Sequence, residues 1–236
     1  MSGSAVVIGA SGGIGRALTQ RLVAEGGFEA VWAVSRSAAA VPGAQALAAD
    51  LEDEDSLAQA AARIAQGAAP TLVLVATGVL HDGFQPERSL RQLEAEHLLR
   101  DYRINTVGPA LVAKHLLPLL PRDRRAVFAA LSARVGSIGD NRLGGWHAYR
   151  ASKAALNMIL RNLAIETART HPLAVVAGLH PGTVDTGLSA PFQKGVGEGR
   201  LFSPDHSAER LLAVAAGLTP GDSGGVFAWD GVRIPE

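Results

Sequence analysis

The 236-residue sequence contains no cysteine. That excludes disulfides, thiol nucleophiles and zinc sites built on thiolates, and it fits a cytoplasmic address. Excess charge is also missing. The 22 basic residues match the 22 acidic ones, so no net field draws in nucleic acid or an anionic membrane. Nor is there a long hydrophobic run. The longest, Leu111 to Leu120, is interrupted by Lys114, His115 and Pro118, which rules it out as a membrane span of about 20 apolar residues. Met1-Ser2-Gly3-Ser4 leads into an apolar segment without the basic start and cleavage pattern of a secretion signal. The seven histidines are scattered and form no His-Glu-x-x-His pair, so no metal is expected.

What is present points to one large α/β domain. Hydrophobic residues make up 47%, a globular composition at a length that supports a full core. Short apolar runs at 5–8, 30–34, 71–76, 126–131 and 173–179 read as strands buried on both faces, with a weaker one at 44–49 and a last one at 225–229. Helical spacing separates them: 14–25, 52–66, 90–99, 102–120, 147–168 and 207–217. Strand and helix alternate along most of the chain. That pattern predicts a single Rossmann-type, doubly wound parallel sheet with helices on both faces, whose ligands bind beyond the carboxyl ends of the strands.

The residues at those strand ends are informative. After the first strand comes Gly9-Ala10-Ser11-Gly12-Gly13-Ile14-Gly15, and then a helix. A strand, a glycine loop and a helix make a phosphate cradle, because backbone N–H groups and the positive helix end both face the anion. The glycine spacing is not G-x-G-x-x-G, and no Gly-Lys-Ser/Thr closes a P-loop. The second strand ends in Ser35-Arg36, with no Asp or Glu between Val31 and Val41. An arginine there suits a ribose 2′-phosphate, whereas a carboxylate would select the 2′-hydroxyl. NADP is therefore the expected cofactor, with NAD the lesser alternative. Asp50-Leu51 follows the third strand, where Asp50 either bonds an adenine or starts a helix. Thr77-Gly78 ends the fourth, and its small side chains leave room for a flat ring or ribose.

Tyr149 and Lys153 lie four apart on a helix and so share a face. A lysine ammonium beside a phenol favours the phenolate and makes tyrosine a usable acid or base near neutrality. Asn105 falls inside the 102–120 helix, where asparagine is a poor former and a buried one needs a polar network. Ser132 and Ser137 both follow the fifth strand. From 187 to 204 the periodicity disappears, as in a lid or binding loop.

With these residues in place, the chain resembles the short-chain dehydrogenase/reductase family over nearly its full length. Gly9-x-x-x-Gly13-x-Gly15 resembles that family's cofactor motif, Tyr149-x-x-x-Lys153 its catalytic motif, and Asn105 the asparagine of its tetrad. Pro181-Gly182-x-Val184-x-Thr186 resembles its cofactor-contacting turn. The stretches from Val135 to Asn141 and from Phe227 to Gly231 look most like the C-factor and sniffer-type carbonyl reductases. The resemblance implies one domain over 1–236, with a cofactor part to about 130 and a catalytic part beyond. It implies hydride transfer between nicotinamide and a small carbonyl or alcohol substrate, with Tyr149 as acid and Lys153 on the ribose. A water held near Asn105 would relay protons, and a homodimer or homotetramer would form. Apart from Ile8, which stands where the family often has threonine, there are two departures. Val75-Ala76 replaces an asparagine pair, and Ala133 stands where a second serine would polarise the carbonyl. Ser132 is expected to point away by strand alternation. Ser137 is preferred, because its separation from Tyr149 is close to the family's. The same departures support a second reading, a catalytically weak dinucleotide-binding sensor on this fold.

Overall fold

A computed structural model describes residues 3–81, 83–195, 197 and 199–236. In chain order the main elements are β1 (Ser4–Ile8), α1 (Gly13–Glu25), β2 (Ala30–Ser35), β3 (Gln45–Ala48), α2 (Glu54–Ile64), β4 (Pro70–Val75), α3 (Ala95–Tyr102), α4 (Gly108–Leu116), β5 (Ala126–Leu131) and α5 (His147–Thr167). They continue with β6 (Ala174–His180), the two-residue strands β7 (Thr183–Val184) and β8 (Leu201–Phe202), α6 (Pro204–Gly217) and β9 (Val226–Ala228). Seven strands form one sheet in the order β3-β2-β1-β4-β5-β6-β9, every pair parallel. The order reverses between β1 and β4, and that is where a doubly wound sheet opens a crevice for its ligand.

Both faces of the sheet are covered, so its central strands are apolar throughout. On one face Trp32, Val6, Val73, Phe128 and Val176 stand in register across five strands and pack under α2, α4 and α5 through Leu57, Ile64, Val112, Leu116, Leu156 and Leu160. The alternate residues Ala5, Val7, Leu74, Val175 and Ala177 face Leu18 and Leu22 of α1 and Leu211 of α6. The weakly predicted third strand is an edge whose residues are mostly exposed, which explains its thin apolar signal.

Two expectations change in the middle of the chain. The predicted helices 90–99 and 102–120 are not separate. Leu90–Gln92 form a single 3-10 turn. Helical backbone then runs from Ala95 to Leu116 through a π-helical segment, Arg103–Val107. Leu90 is 74% exposed, so its apolar character is not a core signal. Pro109, in the first turn of α4, gives the widening a cause. It has no N–H to close an α-helical bond to the Asn105 carbonyl, and its ring would crowd that carbonyl. The aperiodic stretch 187–204 also gains structure, with a 3-10 turn at Ala190–Gly195 and β8 paired to β7.

Candidate active site

The cleft begins at the glycine loop. Gly9 has φ +87°, open to glycine at little cost, and its N–H and that of Ala10 donate to the Val34 carbonyl at 2.8 and 3.0 Å. A Cβ on Gly15 would stand 2.1 Å from the Gly9 carbonyl oxygen, so helix and loop approach as closely as they do only because Gly15 has no side chain. The first turn of α1 carries no acidic residue, and its N-cap, Gly12, offers no side-chain bond. The free N–H groups of that turn therefore remain available to an anion.

Three cavities join along the strand ends. The first, about 220 Å³, is lined by Gly9, Ser11, Gly12, Ser35, Arg36, Asp50, Leu51, Glu52, Thr77 and Gly78. Arg36 is exposed there. Ser35 Oγ accepts from Ala39 N at 3.0 Å, and Asp50 Oδ1 accepts from Glu52 N at 3.1 Å, so these two side chains shape the turns that bound the cavity. Glu52, unanticipated from sequence, brings a carboxylate to the same wall and lies 3.6 Å from Arg103. The second cavity, about 330 Å³, shares Gly12, Thr77 and Gly78 with the first and adds Gly13, Ile14, Ser132, Tyr149, Lys153, Pro181 and Thr186. The third, about 370 Å³, shares Tyr149, Ser132, Thr186 and Leu188 with the second and adds Ala133, Trp146, His180, Gly182, Val184 and Phe192. The shape fits a dinucleotide that runs from Arg36 to Tyr149 with a separate, more apolar chamber beyond. Thr77 Oγ1, buried on this path without a partner, is an orphan polar atom of the kind a bound ribose or ring would satisfy.

Lys153 is 2% exposed. Its Nζ donates to the Leu131 carbonyl at 2.8 Å and lies 5.9 Å from the Tyr149 ring centroid. Burial lowers its pKa to about 8, partly opposed by the negative charge of Asp101. Tyr149 moves the other way: burial first, then Asp101, push its phenol above the ordinary value. The expected lowering by lysine is therefore outweighed in this geometry, where desolvation dominates and Nζ turns to a carbonyl.

Asn105 is buried completely and acts as a clamp. Its Oδ1 accepts from Val79 N and its Nδ2 donates to Val79 O, both at 2.9 Å, while Nδ2 also reaches Ser152 Oγ at 3.1 Å. It pins the segment after β4 to α5 at Ser152, the residue before Lys153. An ideal Cβ on Gly78 would lie 3.3 Å from Asn105 Oδ1 and 3.5 Å from Lys153 Nζ, which places the three side by side.

The two serines exchange places. Ser137 Oγ accepts from Asp140 N at 3.0 Å and is 2% exposed, closing a turn after the 3-10 segment Arg134–Gly136 and lining none of the three cavities. The expected place of Ser137 beside Tyr149 is thus not where its side chain sits. Ser132 lines the cleft with Tyr149: the backbone stays extended through Ala133, and alternation turns the Ser132 side chain to the face that α5 covers. Ser132 Oγ donates to Asn157 Oδ1 at 2.6 Å.

Sequence reading missed much of the outer chamber. Trp146 packs on Phe192 at 5.1 Å and edge-on to Tyr149 at 6.4 Å. Phe192 comes from the aperiodic loop, where no period marked it. His180 has Nδ1 buried and unpartnered, and burial, with Arg134 nearby, lowers its pKa to about 4. Its place beside Pro181-Gly182 was the one available signal.

A phosphate-cradling loop, a basic residue at the second strand end and a Tyr–Lys pair over one cleft define a nucleotide-dependent oxidoreductase. The chain belongs to the short chain dehydrogenase family, whose model matches residues 4–196. It is 34% identical to C-signal of Myxococcus xanthus over 147 residues, 62% of this chain and 83% of that protein. Two further curated relatives are matched over only 56% and 60% of their own length. The fold is similar to that of the carbonyl reductase Sniffer of D. melanogaster, with TM-score 0.83 and 22% identity over all of both chains. It is also similar to the NADPH-bound carbonyl reductase from chicken fatty liver, with TM-score 0.84 and 24% identity over 99% of this chain and 94% of that one.

Proposed function

We propose that the protein is an NADP-dependent reductase of small carbonyl compounds, with Tyr149 as the proton donor. The observation that carries this reading is the second cavity, where Tyr149 and Lys153 line the same space as the glycine loop and Thr77-Gly78. The cofactor, when bound, supplies a hydride to the carbonyl carbon. The residues of this chain do the rest. The N–H groups of the α1 terminus and Arg36 hold phosphate, Lys153 holds the ribose side of the cleft, and the Tyr149 hydroxyl gives its proton to the carbonyl oxygen. Ser132 takes the part first assigned to Ser137. Its one proton is committed to Asn157 Oδ1, so to take this part the hydroxyl turns from Asn157 to the substrate oxygen. The NADPH-bound carbonyl reductase among the similar structures supports the cofactor assignment.

Ala133 on the wall of the outer chamber favours the second reading, a weak catalyst that senses dinucleotide. NADPH oxidation against a panel of aldehydes, ketones and quinones separates the two. Turnover with at least one carbonyl class upholds the reductase, and tight NADPH binding without turnover upholds the sensor. A cytoplasmic address and a homodimer or homotetramer belong to the same proposal. Among the described residues no helix is long and apolar enough to cross a membrane. The oligomer would form through the outer face of α5, where Met158 and Ile165 are exposed. A monomeric mass by light scattering at micromolar concentration would sink it.

A further inference from the structure

Behind Tyr149 and Lys153 lies a buried group of ionisable side chains for which the reaction above has no use. Glu87, His97 and Asp101 are 1%, 3% and 0% exposed. The His97 ring bridges the two acids: Nδ1 is 3.1 Å from Glu87 Oε1 and Nε2 is 3.8 Å from Asp101 Oδ1. The nearer contact is off the line of the ring N–H, so Glu87 Oε1 counts as an ion-pair partner without an aligned hydrogen bond. Phe84 stacks on the ring at 4.9 Å and seals it from water. Among the described residues no group of three or more His, Asp and Glu has metal-holding geometry.

Glu87 has a structural task. Its Oε2 accepts from Ala148 N at 3.3 Å, and its carbonyl accepts from Trp146 N at 2.5 Å. It thereby caps α5, whose own N-cap residue, Trp146, makes no capping bond and sits at φ +50°. Asp101 has no such task. Both its carboxylate oxygens are buried without a hydrogen-bond partner, a placement that opposes folding unless something else requires it. It sits on α3, which packs against α5. The charged and titratable groups that face it are Glu87 from the preceding loop, His97 and Arg100 from its own helix, and Tyr149 and Lys153 from α5.

We propose that Asp101 is a positioning residue that keeps Lys153 charged inside the cleft, with the Glu87–His97 pair fixing where its carboxylate stands. This inference rests on the Tyr149–Lys153 reading. A buried lysine loses its charge unless an anion stands near. Asp101 lies one helical turn before Asn105, Asn105 stands beside Lys153 Nζ at Gly78, and the packing of α3 on α5 thus brings the Asp101 carboxylate towards the ammonium. Asp101 is itself raised to about 7 by burial and Glu87, and is drawn back down by Arg100 and Lys153. Lysine and aspartate therefore titrate as a coupled pair. Remove the carboxylate, and the ammonium loses its proton at lower pH.

The coupling is read first on the parent protein, by NMR titration of the Asp101 carboxyl carbon and Lys153 Nζ. Both should report linked steps near neutral to mildly alkaline pH. An Asp101 carboxyl that titrates at its ordinary value with no step at Lys153 overturns the proposal. The second arm follows kcat/KM against pH for NADPH-dependent reduction of 4-nitrobenzaldehyde by the parent, Asp101→Asn, Asp101→Glu and Tyr149→Phe. Asp101→Asn should move the alkaline limb down by roughly half a pH unit or more, the direction set by losing a nearby opposite charge, and Asp101→Glu should restore it. A limb that stays put in Asp101→Asn, or is displaced equally in Asp101→Glu, overturns the role. The parallel Tyr149→Phe variant tells the two failures apart. If it is inactive while Asp101→Asn is unmoved, only the role of Asp101 falls; if it stays active, the underlying reading falls and takes the inference with it. Should Asp101→Asn fail to fold, the NMR titration of the parent decides.

Discussion

The two halves of the cleft are made of different material. The half beside β1 and β2 is largely backbone: Gly9, Gly12, Gly13 and Gly15 and a helix end, with the charged side chains Arg36, Asp50 and Glu52 on its outer wall. The half beside β5 and β6 is mostly side chain, with Tyr149, Lys153, Ser132 and His180 on its walls and Asp101 behind. Backbone donors have no pKa and little freedom, so the first half can bind a phosphate in one way. Side chains in a dry pocket move each other's protons, which makes the second half adjustable by charges that never touch substrate.

The sharpest way to break this comparison is at the acid. Tyr149→Phe should leave NADPH affinity intact and lower turnover by roughly a hundredfold or more, the scale of general acid catalysis. Loss of affinity instead would mean that the two halves are not separable. Next come the serines. Ser132→Ala should slow turnover by roughly tenfold to a hundredfold if its hydroxyl meets the developing oxyanion, while Ser137→Ala should leave kcat near the parent value. The reverse ranking would show that the 134–140 turn rearranges to reach substrate. On the backbone side, Arg36→Ala should weaken NADPH binding by about tenfold to a hundredfold, the worth of a charged hydrogen bond, and leave NADH unchanged. Fluorescence titration of both cofactors reads this. Equal affinities in the parent would mean that Arg36 faces solvent and Glu52 cancels its charge.

The smallest effect sharpens the contrast rather than breaking it. Asp101 has a folded pKa raised from 3.8 to about 7, so the folded protein binds a proton there that the unfolded chain releases. Its contribution to stability is therefore favourable at low pH and declines as pH rises from about 4 to about 7. The difference in Tm between Asp101→Asn and the parent should grow in the variant's favour across that window, by a few degrees. A difference that is flat with pH would show that Asp101 titrates normally. No corresponding pH dependence is expected from the glycine loop, which carries no titratable group.

Fold and cofactor half were readable because both are local. The strand runs, the glycine loop at residues 9–15 and the Tyr149–Lys153 spacing act over a few residues, and continuous apolar runs mark strands buried on both faces. Even the break at Pro109 was written in the chain, though its consequence, a π-segment carrying Asn105, needs the helix to exist first. Tertiary structure alone decided which serine lines the cleft, because alternation says that Ser132 and Ala133 face opposite ways but not which of the two faces α5 covers. It alone brought Phe192 from an aperiodic loop onto Trp146. It also reversed the direction of the Tyr149 shift, since desolvation depends on what closes over a group and not on what lies four residues away. Glu87, His97 and Asp101 look like ordinary surface charges in sequence. Burial under Phe84 and against α5 is what turns them into neighbours of Lys153, and burial is a property of the folded chain as a whole.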